Sequence, residues 1–128
     1  MIFPGSGVIV RLEGGDFTSI SVMDLIILLN ELRMAGAEAI SINDQRIIHN
    51  SYVAYINNRH ISVNGRRIVE PFTVKAIGNP THLEAGLSQR RIGYIDTMAF
   101  EGKSVTVTRE DNITIYRYDG ELQFEYVR

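Results

Sequence analysis

The order of hydrophobic patterns predicts an α+β fold of the split β-α-β (ferredoxin-like) type, with a mixed sheet, helices on one face and an inserted β-hairpin. A β-branched run at residues 7–13 is followed by a helical pattern from Ser21 and by an alternating strand at residues 37–42. The same order returns with a strand at residues 72–77 and a helix from Thr81. Short β patterns between these two units predict the inserted hairpin.

Capping residues set the ends of the two predicted helices. Ser21 and Asp24 have the spacing of a capping box, and Thr81 with Glu84 repeats that spacing at the second helix. Gly36 follows the first apolar helical face, and a glycine there favours the left-handed conformation that ends a helix. Both helices therefore have predicted starting residues, and the first also has a predicted end.

Turn residues divide the remaining strands. Asn64-Gly65 favours a type I′ turn, which joins two strands of a hairpin. Two closing strands are predicted at residues 104–108 and 113–117, joined through residues 110–112.

The composition is that of an ordinary globular protein, and its 128 residues predict one domain spanning residues 1–128. Thirteen basic and fifteen acidic side chains give a net charge of −2, which does not favour binding to nucleic acid or to anionic lipid. The pairs Arg66-Arg67 and Arg90-Arg91 are too small to change that interpretation. The absence of cysteine excludes thiol nucleophiles, disulfides and cysteine-ligated metals. No apolar run approaches the roughly 18–20 residues of a transmembrane helix.

No pattern of catalytic or cofactor-binding residues is found. Gly5 and Gly7 precede a strand, whereas a phosphate-binding fingerprint places its glycines between a strand and a helix. His49, His60 and His82 have no metal-ligand spacing, and no nucleophile elbow occurs. We therefore expect a protein that is not an enzyme, with no catalytic residue, no metal and no cofactor.

The candidate binding residues are polar side chains at one corner of the predicted sheet: Asn30, Glu31, Asn43, Asp44, Gln45 and Arg46. Arg46 offers a planar set of donors suited to a carboxylate or a phosphate. A structural role is equally open, in which Arg46 ties Glu31 or Asp44 to the end of the strand. Glu31 is mildly unfavourable near a helix C-terminus, so it either contacts something or lies on a solvated helix flank.

The chain resembles a bacterial family of unknown function, the YlxW/YlxX-like proteins, which are labelled division initiation proteins. The resemblance is carried by residues 36–47, by Asn30-Glu31, by the opening residues 5–10 and by Val63-Asn64-Gly65. It implies an N-terminal membrane segment and a coiled coil, followed by this domain outside the cytoplasmic membrane. By this resemblance the chain is the C-terminal domain of a longer membrane-anchored protein, with no catalytic residues established.

Two functions follow as expectations. The first is a non-enzymatic interaction or scaffold domain of an envelope protein linked to cell division or sporulation. Its partners would be other envelope or division proteins, a second copy of the chain among them, but no nucleic acid, and it would meet the membrane only through the absent N-terminal segment. The alternative is a small-molecule sensor that binds an anionic ligand through Arg46. A hydrolase lacks any supporting set of residues.

Overall fold

Alternating β patterns and two capped helical patterns produce eight strands and three helices in the part of the chain that this computed structural model describes, residues 2–88 and 93–116. In chain order they are β1 Ile2–Glu13, α1 Val22–Met34, β2 Ala39–Ile42, β3 Gln45–Ile47, β4 Val53–Ile56, β5 His60–Val63, β6 Arg66–Ile68, β7 Phe72–Ile77, α2 Pro80–Ser88, α3 Tyr94–Phe100 and β8 Ser104–Tyr116.

The strands form two sheets. The main sheet has the order β3-β2-β7-β1-β8, and the insertion between β3 and β7 forms a three-stranded sheet, β4-β5-β6. Every pairing among the described strands is antiparallel. The α+β class is confirmed, but the prediction of a mixed sheet is wrong. The reason is that β7 lies between β1 and β2, so the two strands joined by α1 are never neighbours.

The insertion is larger than the predicted hairpin, because a third strand joins it. Asn64 and Gly65 connect β5 to β6 with φ values of 54° and 83°, as a type I′ turn requires. Val63 pairs directly with Arg66 across this two-residue turn. The turn prediction is confirmed, and β4 pairs with the outer edge of β5 to complete the three-stranded sheet.

The predicted ends of α1 are confirmed. The Ser21 hydroxyl accepts a hydrogen bond from the Asp24 N–H, and the Asp24 carboxylate accepts one from the Ser21 N–H. At the other end Gly36 has a φ of 95°, and its N–H donates to the Arg33 carbonyl while Ala37 donates to Leu32. These two bonds form a Schellman motif, which satisfies carbonyls that the helix leaves unpaired.

The capping box predicted for α2 is wrong. Asn79 caps this helix, because its side-chain oxygen accepts a hydrogen bond from the His82 N–H. Pro80 takes the first helical position, which moves Thr81 inside the helix. Glu84 and Thr81 instead contact the guanidinium of Arg109, with the carboxylate at 2.9 Å from Nη2.

Apolar side chains fill both faces of the main sheet. The larger cluster joins all three helices to one face, including Val8, Val10 and Leu12 of β1. The smaller cluster lies on the other face and contains Ala39, Ile77, Ile113 and Ile115. The place of Ile113 and Ile115 in this cluster depends on an irregularity of β8.

A one-residue bulge makes β8 present different faces along its length. The register slips between Gly5 and Gly7, which pair with Ile113 and Glu110, so β8 contains one extra residue there. Val105 therefore packs against the larger cluster, whereas Ile113, also odd-numbered, packs in the smaller one. The prediction of two separate closing strands is wrong, since β8 continues through residues 110–112 as one strand.

Candidate functional site

The insertion packs along one side of α1, and we call their line of contact the α1–β4 seam. It is formed by Val22, Ile26, Asn30 and Arg33 of α1 and by Tyr52, Val53 and Tyr55. Ile61 and Ile68 of the insertion are buried in the core that α1 also enters. The Val22 N–H donates to the Tyr55 hydroxyl at 3.2 Å. The seam therefore joins the first turn of α1 to β4.

A cleft of about 270 Å³ lies at the C-terminal end of the seam. Asn30 and Arg33 line it from α1, and Ser51 and Tyr52 line it from the opposite side. The α1 residues of this lining, Ile26, Asn30 and Arg33, recur every three or four residues, so they occupy one side of the helix. Tyr52 is 56% exposed and forms part of the rim.

A second cleft, of about 230 Å³, lies at the N-terminal end of the seam. Tyr55, Arg59 and His60 line it from the insertion, and Ser21 lines it from the cap of α1. Glu70 also lines this cleft, but both of its carboxylate oxygens already accept backbone hydrogen bonds, from Gly14 and Ile20 at 2.8 Å each. The other polar side chains of its lining can all donate hydrogen bonds, namely Ser19, Ser21, Tyr55, Arg59 and His60.

Large apolar side chains cover the outer surface of α1 beside the seam. Met23, Ile27 and Met34 are exposed by 59%, 42% and 75%. They lie at spacings of four and seven residues and therefore form one stripe, opposite the buried Leu25 and Leu32. An exposed apolar stripe next to two exposed tyrosines is typical of a protein-binding surface.

The predicted polar corner is a tight hairpin turn. Asn43 and Asp44, with φ values of 47° and 67°, connect β2 to β3, and Ile42 pairs with Gln45. The Asn43 amide donates to the Val69 carbonyl at 3.3 Å. Asp44 forms an exposed ion pair with Lys75 at 3.3 Å. A cleft of about 390 Å³ lies beside this turn.

The other predicted residues point in different directions. Arg46 pairs with Ser41, whose neighbours Ile40 and Ile42 face α1, so Arg46 lies on the sheet face away from the helices. Gln45 lies on the helix side of the same strand. Asn30 lines the cleft at the seam, whereas Glu31 is half-buried on the flank of α1 turned away from it. The six predicted residues are thus not brought together at one site.

Sequence reasoning missed the residues of the seam, namely Arg33, Tyr52, Tyr55 and Arg59. A signal was present in the chain: residues 45–69 contain four arginines and no acidic residue. A local excess of one charge is a readable feature of a binding surface.

The flank of α1 opposite the seam is held by a partly buried polar cluster. The Tyr94 hydroxyl donates to the Asp24 carbonyl at 2.8 Å, and the Lys103 ammonium lies 2.7 Å from the Asp24 carboxylate. Burial, together with the charges of Asp24 and Glu101, raises the pKa of Tyr94 far above its usual 10.0. Burial lowers the pKa of Lys103, but hydrogen bonds and the two carboxylates outweigh that effect and raise it above 10.5. This cluster fixes α1 in place.

Within residues 2–88 and 93–116, no three histidine, aspartate or glutamate side chains converge in a way that could hold a metal ion. In the same part of the chain, none of the helices has the length and apolar character needed to span a bilayer.

Comparison with known proteins agrees with the antiparallel α+β architecture. The chain is similar to the UPF0749 protein YlxW of Bacillus subtilis (strain 168), with 38% identity over 85 residues, which is 66% of this chain and 36% of that protein. The chain therefore spans about a third of the length of this relative. It also resembles the crystal structure of an uncharacterized conserved protein from Mycobacterium tuberculosis, with 26% identity, a TM-score of 0.79 and coverage of 92% of this chain and 83% of the other. The family model of bacterial proteins of unknown function named DUF881 matches residues 3–128, and the chain belongs to that family.

Proposed function

We propose that this chain is a non-enzymatic protein-interaction domain that binds its partner on the surface formed by α1 and β4. One observation carries the proposal: Met23, Ile27 and Met34 of α1 lie exposed beside the exposed Tyr52 and Tyr55. Water contact with these side chains is unfavourable by roughly 25 cal/mol per Å² of apolar surface, so a partner that covers them gains free energy.

The shape of this surface also supports the proposal. Clefts of about 270 and about 230 Å³ lie at the two ends of the seam, so a partner side chain can be buried at each end. Tyrosine and arginine, which are enriched among the residues that dominate binding energy, line both clefts. The surface thus combines apolar area, concave ends and anchoring side chains.

The wider setting of the domain is also part of the proposal. We place it outside the cytoplasmic membrane, as the C-terminal domain of a membrane-anchored protein whose partners belong to the cell envelope or the division apparatus. The similarity to YlxW, of which this chain spans 36%, leaves room for such further segments. The antiparallel order β8-β1-β7-β2 supports a ferredoxin-like, split β-α-β origin of the main sheet.

A second candidate function is sensing of a small anionic ligand. It draws support from the donors around the 230 Å³ cleft, Arg59, His60 and Tyr55, and not from Arg46 on the far face of the sheet. A thermal-shift screen tests it, because a ligand at a hundred times its dissociation constant adds about 2.7 kcal/mol of stability.

Site-specific photo-crosslinking in cells tests the interaction function. A photoreactive residue at Ile27 or Tyr52 is expected to give one protein adduct, and Met23→Asp in the same chain is expected to abolish it. The matched control is Thr106→Asp, an exposed position of β8 on the opposite face of the sheet. An adduct that survives Met23→Asp, or none at either position, would contradict the proposal.

A further inference from the structure

The charges of this chain are strongly segregated. Residues 45–69 contain Arg46, Arg59, Arg66 and Arg67 and none of the fifteen acidic side chains, which gives this segment a charge of +4. The rest of the chain therefore carries −6, since the total is −2. The insertion sheet lies entirely within the positive segment. Such segregation favours partners of complementary charge, because charge complementarity steers association.

Cations occupy both ends of the α1–β4 seam. Arg59 lines the cleft at the N-terminal end of α1, and Arg33 lines the cleft at the C-terminal end. Both side chains are exposed, and neither makes an ion pair or side-chain hydrogen bond to any described residue. Because a helix rises 1.5 Å per residue, the ends of α1 at Val22 and Arg33 are about 16 Å apart.

The acidic residues near the seam are already engaged or turned away. The Glu70 carboxylate accepts two backbone hydrogen bonds, and Asp24 caps α1 and pairs with Lys103. Glu31 lies on the other flank of α1. Arg33 and Arg59 can thus pair with carboxylates that lie outside the described part of the chain. Arginine is well suited to binding a carboxylate, because its planar guanidinium forms two hydrogen bonds with that group.

We propose that the partner bound at the α1–β4 seam is a protein segment with acidic side chains at both ends and apolar side chains between them. Arg33 and Arg59 bind the two acidic ends, and the apolar side chains pack on Ile27, Tyr52 and Tyr55. This inference rests on the proposed interaction function and specifies the chemistry of the partner.

A protein segment fits this surface better than an anionic membrane does. The two arginines line concave clefts, which side chains of a peptide can enter. By contrast, Arg67 pairs with Ser62 on the opposite face of the insertion sheet from Ile61 and Ile68, so the cations of this segment do not share one plane. A flat bilayer could contact only some of these cations. A helical segment of about twelve residues is about 18 Å long, and it therefore spans the seam.

Fluorescence anisotropy with defined peptides tests the inference. The probe is a labelled pool of peptides of about twelve residues with Asp or Glu at both ends and random apolar residues between. The matched pool carries Asn or Gln at the ends. We expect the acidic pool to bind at least about 10-fold more tightly, and its advantage to shrink between low salt and about 0.3 M NaCl, where screening is strong.

Matched variants locate the binding. Arg33→Glu and Arg59→Glu are each expected to weaken binding of the acidic pool about 10-fold, as expected when a close charge pair is replaced by repulsion. Arg11→Glu is the control, because Arg11 is also exposed but lies on the sheet face away from the helices. Thermal melts of all variants report on folding, so loss of binding by a folded variant is interpretable.

Three results would overturn the inference: equal binding of both pools, equal weakening by Arg11→Glu, or no binding of the acidic pool. Binding to phosphatidylglycerol vesicles that Arg33→Glu and Arg59→Glu abolish, with no binding of the peptides, would assign the seam to lipid and would also overturn it. Photo-crosslinking at Ile27 separates this failure from failure of the proposed function. An adduct lost on Met23→Asp would leave the interaction domain standing with a partner of different chemistry.

Discussion

Asn43 and Thr73 exchange two hydrogen bonds of 2.8 Å, in which the Asn43 N–H donates to the Thr73 carbonyl and the Thr73 N–H donates to the Asn43 side-chain oxygen. The first bond extends the pairing of β2 with β7 by one residue, and the second places the turn residue against the start of β7. Asn43 thus uses its side chain to hold the sheet together, although the sequence pattern makes it a candidate for recognition.

Replacing Asn43 with alanine is expected to lower the free energy of unfolding by about 2–4 kcal/mol. The Thr73 N–H would lose its acceptor in a partly buried position, which costs about 1–3 kcal/mol. Alanine also tolerates the positive φ of 47° less well than asparagine, at a cost of about 1 kcal/mol. Urea denaturation followed by circular dichroism measures the change.

Two further substitutions at Asn43 separate these causes. Asn43→Asp keeps the acceptor and is expected to lose less than half as much stability as Asn43→Ala. Asn43→Gly removes the acceptor but relieves the backbone, and should fall between the two. If Asn43→Asp were as unstable as Asn43→Ala, the bond to Thr73 would not explain the role of this residue.

Local chemistry makes much of the fold readable from the sequence. The Ser21–Asp24 capping box, the Gly36 helix end and the Asn64-Gly65 turn each depend on a few adjacent residues, and all three have the expected geometry. The turn at Asn43-Asp44 was readable for the same reason, because asparagine and aspartate favour positive φ. The sequence pattern instead places these residues at the end of a strand, and so it does not predict the hairpin of β2 and β3.

Features that depend on competing neighbours or on distant residues were not predictable in this way. The start of α2 is a case where neighbouring residues compete: Asn79 and Thr81 can both cap a helix, and Pro80 decides in favour of Asn79. The seam is a stronger case, since its clefts combine α1 with residues that follow the end of the helix by thirteen or more positions. Tyr55 carries no local mark that distinguishes it from a core tyrosine.

Gly7 is expected to be essential for folding because β1 passes very close to β7 there. A Cβ atom at Gly7 would lie 1.9 Å from the Ala76 carbonyl oxygen, and this neighbour is backbone and cannot rotate away. Gly7→Ala is therefore expected to cost more than about 3 kcal/mol, the upper range for overpacking. The measurement is the urea midpoint, or the yield of soluble protein if the variant does not fold.

Gly36→Ala is the matched control for Gly7→Ala. Gly36 has a φ of 95° but no atoms within 4 Å of the added methyl group, so only backbone strain opposes the substitution. The expected cost is about 1–2 kcal/mol. A Gly36→Ala variant as unstable as Gly7→Ala would show that the close approach of β1 to β7 is not the cause.

Alkaline pH is expected to destabilise the fold through Tyr94 and Lys103. Both groups have a pKa in the folded state above the ordinary values of 10.0 and 10.5, so the folded chain holds protons that the unfolded chain releases. Stability from these groups is complete below pH 10 and declines as the pH rises toward their folded-state pKa values. Urea midpoints should therefore stay level between about pH 8 and pH 10 and fall between about pH 10 and pH 11.

The variants Tyr94→Phe and Lys103→Arg identify the source of this decline. Phenylalanine does not titrate, and arginine keeps its positive charge throughout this range, so each variant is expected to flatten the pH dependence. Each should start from a lower stability at pH 8, because the bonds of 2.8 and 2.7 Å to Asp24 are lost or altered. If the urea midpoint fell with pH as steeply in both variants as in the parent chain, the alkaline sensitivity would lie elsewhere in the chain. That result would contradict the role of this cluster in fixing α1.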